Sequence, residues 1–288
     1  MKTIAKTFIT TLLATLLLVW GGCHPQKRNS HIVVTIAPLK HIVEQITCGD
    51  FSISVLVPQG ASPETFEPTP KQMAEVHDAQ LVFTTGLIEF EKSLLKDVNR
   101  NNTVDLSTDI QLIEGSCSHH HSHLDHHHGV DPHIWTSPQE LRQMATTAHA
   151  AIIRQYPDST KYTAAYDALC ARLEALDEEC KQAIKESGTQ AFMVYHPAMT
   201  YYARAYGIEQ IAIEYEGKEP SAKYLSTIID QAHEKNIKAI LYQVEYPKSV
   251  VEVVANDVGV KALEINPLAE DIEATIRTIT TAITAQNE

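Results

Sequence analysis

Between residues 158 and 187, Tyr162, Tyr166, Leu169, Leu173, Leu176, Cys180 and Ile184 recur at spacings of three and four. That period places them on one stripe of a single amphipathic helix. Pro157-Asp158 opens it and Gly188 closes it. A helix of about thirty residues is about 45 Å long at 1.5 Å per residue. Such a rod can run the length of a small pair of lobes. A coiled-coil dimer would use the same stripe, but a lone run between two α/β halves favours an internal strut.

Both sides of the rod carry a β-α rhythm. Before it, "HIVVTI", "FSISVLVP" and "LVFTTG" read as strands, with "APLKHIVEQITCG" and "KQMAEVHDAQ" as helices between them. After it, "AFMVY", "IEQIAIEY", "IKAILYQ" and "VKALEIN" read as strands. They alternate with helices over "HPAMTYYARAYG", "SAKYLSTIIDQAHEKN" and "KSVVEVVANDVG", and "DIEATIRTITTAITAQ" closes the chain. Alternation of this kind implies parallel sheets with helices on their faces. The expected fold class is therefore α/β. It has two lobes, each a parallel sheet flanked by helices, joined by one long rigid helix.

The N-terminus reads "MKTIAKTFITTLLATLLLVWGGC". Lys2 and Lys6 precede an apolar run, Ile9 to Trp20, that is too short to span a bilayer comfortably. Gly21 and Gly22 then precede Cys23. This is a secretory signal, and its end resembles a bacterial lipoprotein cleavage site, although Trp20 stands where an aliphatic residue is usual. The expected division is a lipoprotein signal peptide at 1–22, an N-terminal lobe at 23–156 and the linking helix at 157–188. The C-terminal lobe follows at 189–288. Acylation is expected at Cys23, which places the protein on the periplasmic or extracellular face of a membrane.

The full chain carries a net charge of −13. Loss of the two signal lysines leaves 21 basic against 36 acidic residues, or −15. With no long basic run, nucleic acid is excluded as a partner. Cys170 and Cys180 lie ten apart on the long helix, about 15 Å, and cannot bridge each other. No CxxC or zinc-finger spacing occurs. The cysteines other than Cys23 are expected as buried free thiols.

Histidine points more sharply to a metal. "CSHHHSHLDHHHGVDPHIW", Cys117 to Trp135, holds eight of them. His119, His120, His121, His123, His126, His127 and His128 sit in a polar stretch without apolar period, expected as a mobile loop at 115–130. Fixing such a segment around a metal costs roughly 1–2 kcal/mol per residue. An auxiliary collector or sensor of metal is therefore expected there rather than the tight site. Four other positions follow strands or precede a helix, where open α/β sheets bind ligands. They are Glu64 in "GASPETFEP", His133 in "DPHIWTSP", His196 in "VYHPAM" and Asn266 in "INPL". Singly each has an ordinary loop or turn reading. Together they offer an imidazole from each half and a carboxylate, a donor set suited to four-coordinate zinc.

The ordered pieces "GASPETFEPTP", "DPHIWTSP", "VYHPAMTYYARAYG", "EGKEPSAK" and "INPLAED" span almost all of the mature chain. The sequence so ordered resembles the metal-binding solute-binding proteins of bacterial ABC transporters, in particular the zinc-uptake branch, in which a His-rich insert is typical. The resemblance implies two lobes on a rigid helix with the metal between them. It implies His133 and His196 as ligands. Glu64 stands where that family more often has His, and Asn266 where it more often has Asp. Glu64 still offers a carboxylate, whereas Asn266 offers only a weaker amide oxygen. Water, or Glu245 in "YQVEY", are alternatives for completing the sphere.

Two neutral imidazoles favour zinc over hard ions such as Mg²⁺ or Ca²⁺; Mn²⁺ is the less favoured cargo and needs another carboxylate. A zinc hydrolase with an open position is the alternative in another class. No HExxH, GxSxG or Walker motif supports it. A surface adhesin-like lipoprotein, active in cell adhesion, is a third. The expected protein is a monomeric, non-enzymatic carrier. It would take Zn²⁺ from outside the cell and pass it to a permease driven by a separate ATPase.

Overall fold

The computed structural model describes residues 31–96, 102–114, 129–157, 159–214, 220–246 and 248–285. The signal segment, Cys23 and the seven histidines of the polar run lie outside the described residues. In chain order the first half contains β1 (His31–Val34), α1 (Ala37–Thr47), β2 (Ser52–Val55), α2 (Pro70–Asp78), β3 (Leu81–Thr84), α3 (Glu89–Leu94) and β4 (Thr103–Asp105). A 3-10 turn (Ile134–Thr136) leads into α4 (Pro138–Gln155), and the rod is α5 (Thr160–Ser187). The second half contains β5 (Ala191–Val194), α6 (Thr200–Tyr206), β6 (Glu209–Ala212), α7 (Ala222–Glu234), β7 (Ala239–Gln243), α8 (Lys248–Val258), β8 (Lys261–Ile265) and α9 (Ile272–Thr284).

Each half builds a parallel four-stranded sheet, in the orders β2-β1-β3-β4 and β6-β5-β7-β8. The central strands β1, β3, β5 and β7 are short and almost wholly apolar, as strands covered on both faces must be. In both sheets the chain steps outward to one edge, then returns across the first strand to build the other. That reversal leaves a crevice at the carboxyl ends of the two central strands. Both sheets therefore offer a ligand position where the sequence placed its candidates.

The rod forms over 160–187, with Ser159 at its N-terminal boundary and Gly188 ending it in a left-handed conformation (φ 67°). Tyr162, Leu169, Leu173, Leu176, Cys180 and Ile184 are buried, and Tyr166 is half-buried against the same core. α5 packs against α1 and α4 on one side and against α9 from the other half. One apolar core consequently runs from Val34 and Phe83 through Leu173 and Leu176 to Phe192, Val194, Ile276 and Ile283. The period-two alternation of β5 turns Met193 and Tyr195 away from it, into a second core with Ile240, Val251 and Val254.

Polar bonds also cross between the halves. Trp135 Nε1 donates to Pro267 O (2.9 Å), Tyr201 Oη to Asp131 O (2.8 Å) and Arg204 Nη2 to Glu140 (2.7 Å). The cysteine expectation needs correcting. Cys180 is buried and free, but Cys170 is only half-buried, and Cys48 is exposed at the left-handed end of α1. A thiol at a helix end faces water because the turn, not the apolar stripe, decides its direction.

Two elements escaped the sequence reading: α3 and the three-residue β4. Gly86 (φ 72°) presses against the Asp105 carboxylate of β4, where a Cβ would collide with it. Glu91 of α3 is fully buried and accepts from Thr35 Oγ1, Thr85 N, Thr85 Oγ1 and Ile88 N at 2.5–3.3 Å. Burial pushes its carboxyl up, while these donors pull it back. The network ties the carboxyl ends of β1 and β3 to α3. Glu91→Ala leaves four donors without an acceptor, each costing about 1–3 kcal/mol, partly offset by removing a buried acid. A net loss of about 3 kcal/mol in urea unfolding is expected; under 1 kcal/mol would make the network dispensable.

Candidate metal centre

Glu64 lies in the long loop between β2 and α2. Both ends of that loop are pinned. Leu56 N and Val57 N donate to Val34 O and Thr35 O, extending the sheet pattern past β2. At the far end Thr69 and Gln72 form a capping box ahead of Pro70, and Gln72 Nε2 reaches back to Leu56 O (2.7 Å). Phe66 packs edge-on against Phe90 (5.1 Å) below it.

His133 enters from "DPHIW". Asp131 Oδ1 accepts from the His133 backbone N–H and lies 2.9 Å from its Nδ1, and both residues are buried. Burial works against the Asp131 carboxylate, but the His133 imidazole and these bonds hold it below the usual range. His196 follows β5, and its backbone is clamped by Gln243: the His196 N–H donates to Gln243 Oε1, and Gln243 Nε2 donates to His196 O (2.7 Å). Its Nδ1 lies 2.8 Å from Glu214 Oε1, just past β6, and the Tyr246 ring stacks on its face at 5.4 Å. Each imidazole thus has its Nδ1 against a buried carboxylate. When neutral, each carries its proton there and turns the Nε2 lone pair into the cavity.

The three inward atoms converge. His196 Nε2 lies 3.4 Å from His133 Nε2 and 3.2 Å from Glu64 Oε1. All three lie within 4.8 Å of one another, and among the described residues this is the one such group of His, Cys, Asp and Glu. Bonds of 2.0–2.1 Å in a tetrahedron put ligand atoms about 3.3 Å apart. The two separations from His196 match that edge. The cavity they share is about 30 Å³ and is also lined by Trp135, Glu245, Tyr246 and Leu268. That is room for an ion or a single water, not an organic substrate.

The charges are interlocked. Burial alone would push the His196 imidazole down, but Glu214 and Glu64 outweigh it and raise its pKa to about 10. Without metal, the two carboxylates favour the protonated form of His196 between them. A cation entering must take its place.

Of the four sequence candidates, the fold brings Glu64, His133 and His196 together. Asn266 is not among the residues that line their cavity, although Pro267 and Leu268 are. Asn266 lines a separate cavity beside Ile36 and Gly60, and its Oδ1 accepts from Leu268 N (3.0 Å). The Asn-Pro turn has claimed the amide oxygen for its own backbone. Asp131, Glu214 and Gln243 went unrecognised. Asp131 was visible as the acid two residues before His133. Glu214 was visible as an acid at a strand's carboxyl end, though nothing local linked it to His196.

Residues 32–285 match the protein family described as zinc-uptake complex component A, periplasmic. The chain is 30% identical over 259 residues to the high-affinity zinc uptake system protein ZnuA of Bacillus subtilis, covering 86% of this chain and 81% of that protein. It is 27% identical over 278 residues to the zinc-binding lipoprotein AdcA of Streptococcus pneumoniae, covering 90% of this chain but 55% of AdcA. A crystal structure of ZnuA superposes with a TM-score of 0.79 at 32% identity, over 88% of this chain and 97% of the other.

Proposed function

The chain belongs to the zinc-uptake complex component A family, and we propose that it captures Zn²⁺ at Glu64, His133 and His196 and hands it to an ABC permease. One observation carries the choice of site: the ligand-atom separations of 3.4 and 3.2 Å equal a zinc tetrahedron's edge. Both neutral imidazoles and one carboxylate leave a single negative charge against the dication. Carriage rather than catalysis is supported by the size of the cavity, which leaves no space for a substrate beside the ion.

Acylated Cys23 would tether the carrier on the outer side of a membrane, as a monomer beside the permease and its ATPase. No helix among the described residues is long and apolar enough to cross a membrane. More than one acyl chain is needed for lasting retention. The division into lobes at 23–156 and 189–288 around the helix at 157–188 belongs to the same reading. The shared core and cross-half bonds favour release by small local movement around the cleft over wide opening of the lobes. Titration of metal-free protein with Zn²⁺ and Mn²⁺ tests the cargo: zinc should bind far more tightly, and comparable affinities would sink the assignment.

The polar histidine run is read as an auxiliary collector. Glu114 and Val130 form an antiparallel bridge and Asp131 N donates to Ile113 O (2.9 Å), so the ends of the insert meet in space. Deleting residues 118–128 should leave one tight zinc site and remove only weak, variable binding, read by calorimetry. If tight binding disappears with the run, the cleft is not the primary site.

A further inference from the structure

Glu64, His133 and His196 supply three donors, and zinc in a closed protein site takes four. The sequence gives two protein candidates for the fourth, Asn266 and Glu245, and the fold separates them. Asn266 is neutral, its oxygen is held by Leu268 N, and it lines another cavity. Glu245 lines the same small cavity as the three converging atoms. Its Oε1 is shielded from solvent and has no hydrogen-bond partner. A buried carboxylate oxygen without a donor is costly, and a cation in that cavity would remove the cost.

We propose that Glu245 is the fourth zinc ligand, swung onto the ion by side-chain rotation once the cation enters. This rests on the reading of the cleft as the zinc site. Glu245 is not within the tight cluster of the other three atoms, so the swing is part of the proposal. Its backbone need not move far. Gln243, two residues earlier, is bonded in both directions to His196, and Tyr246, one residue later, is stacked on the same imidazole. The loop that carries Glu245 is thereby referenced to a ligand already in place. Charge favours the step too. With Glu64 alone the neutral-histidine site carries −1, whereas with Glu245 it carries −2 and cancels the dication between largely buried side chains. The fourth position is then closed by protein, which suits a carried ion and not one that must activate water.

The test uses the full chain and zinc alone. Competition against a chromophoric chelator should show that Glu245→Gln weakens zinc binding about 10- to 100-fold, with unchanged far-UV circular dichroism, while Asn266→Ala stays within about threefold. A zinc-bound crystal structure of the unaltered chain should place a Glu245 oxygen about 2.0–2.2 Å from the ion. Water or Asn266 in that position overturns the proposal, as does a Glu245→Gln protein that binds like the unaltered one. If binding is tight in the unaltered chain and lost in His133→Ala, such a result leaves the cleft assignment standing and removes only Glu245. If the unaltered chain binds no zinc tightly, both fall.

Discussion

Replacing His196 by alanine is expected to lower zinc affinity at least a thousandfold, about 4 kcal/mol. The imidazole is the hub of the site. Its Nε2 faces His133 and Glu64, its Nδ1 is held by Glu214, and Tyr246 covers its ring. Removing it deletes one donor and leaves half-buried Glu64 and buried Glu214 without the group that separates them. No nearby side chain can take over, because Gln243 is bonded to the backbone on either side of the substitution. Competition against a chelator of known strength on the full chain measures the loss. A decrease under tenfold would remove His196 from the ligand set.

The second large effect is on pH. In the metal-free protein the His196 pKa is raised to about 10, because Glu214 and Glu64 outweigh the opposing effect of burial. Zinc takes the Nε2 lone pair only after that proton leaves, so each ion bound at neutral pH releases one proton. Apparent affinity should rise with pH by nearly tenfold per unit between about pH 7 and 9. A pH-indicator titration should count close to one proton per zinc; none would mean that His196 is already neutral. Folding of the metal-free protein shows the opposite trend. A folded pKa above the unfolded value of 6.5 contributes stability fully present below about pH 6.5 and lost as pH rises through about 10. Glu214→Gln removes one of the raising carboxylates and should flatten both dependences. Zinc thus meets a cleft already organised by a proton in its place.

Much of the scaffold was legible because its signals are local. The rod from Thr160 to Ser187 announces itself by period, and Gly188 ends it where a left-handed residue is needed. The seven strands expected from apolar runs all exist, trimmed at their ends where chain geometry, not residue type, decides the last hydrogen bond. β4 and α3 were missed for different reasons. Three residues, Thr-Val-Asp, are too few to show an alternation. α3 is tied to the sheet through Glu91, whose partners Thr35 and Thr85 follow β1 and β3. His196 could be named from a loop after a strand and His133 from a short segment before a helix, but their 3.4 Å approach joins residues 63 apart in the chain.

The amino-acid order by itself determined the α/β class, the dividing helix and the candidate imidazoles, because each depends on neighbours within a turn or a strand. Only the tertiary structure decided which candidates share one cavity. It released Asn266 to its own turn, set Asp131 and Glu214 behind the two histidines, and left an oxygen of Glu245 buried without a donor. A binding site is a set of distances between remote residues, and those distances exist only once two sheets and a rod have packed into one core.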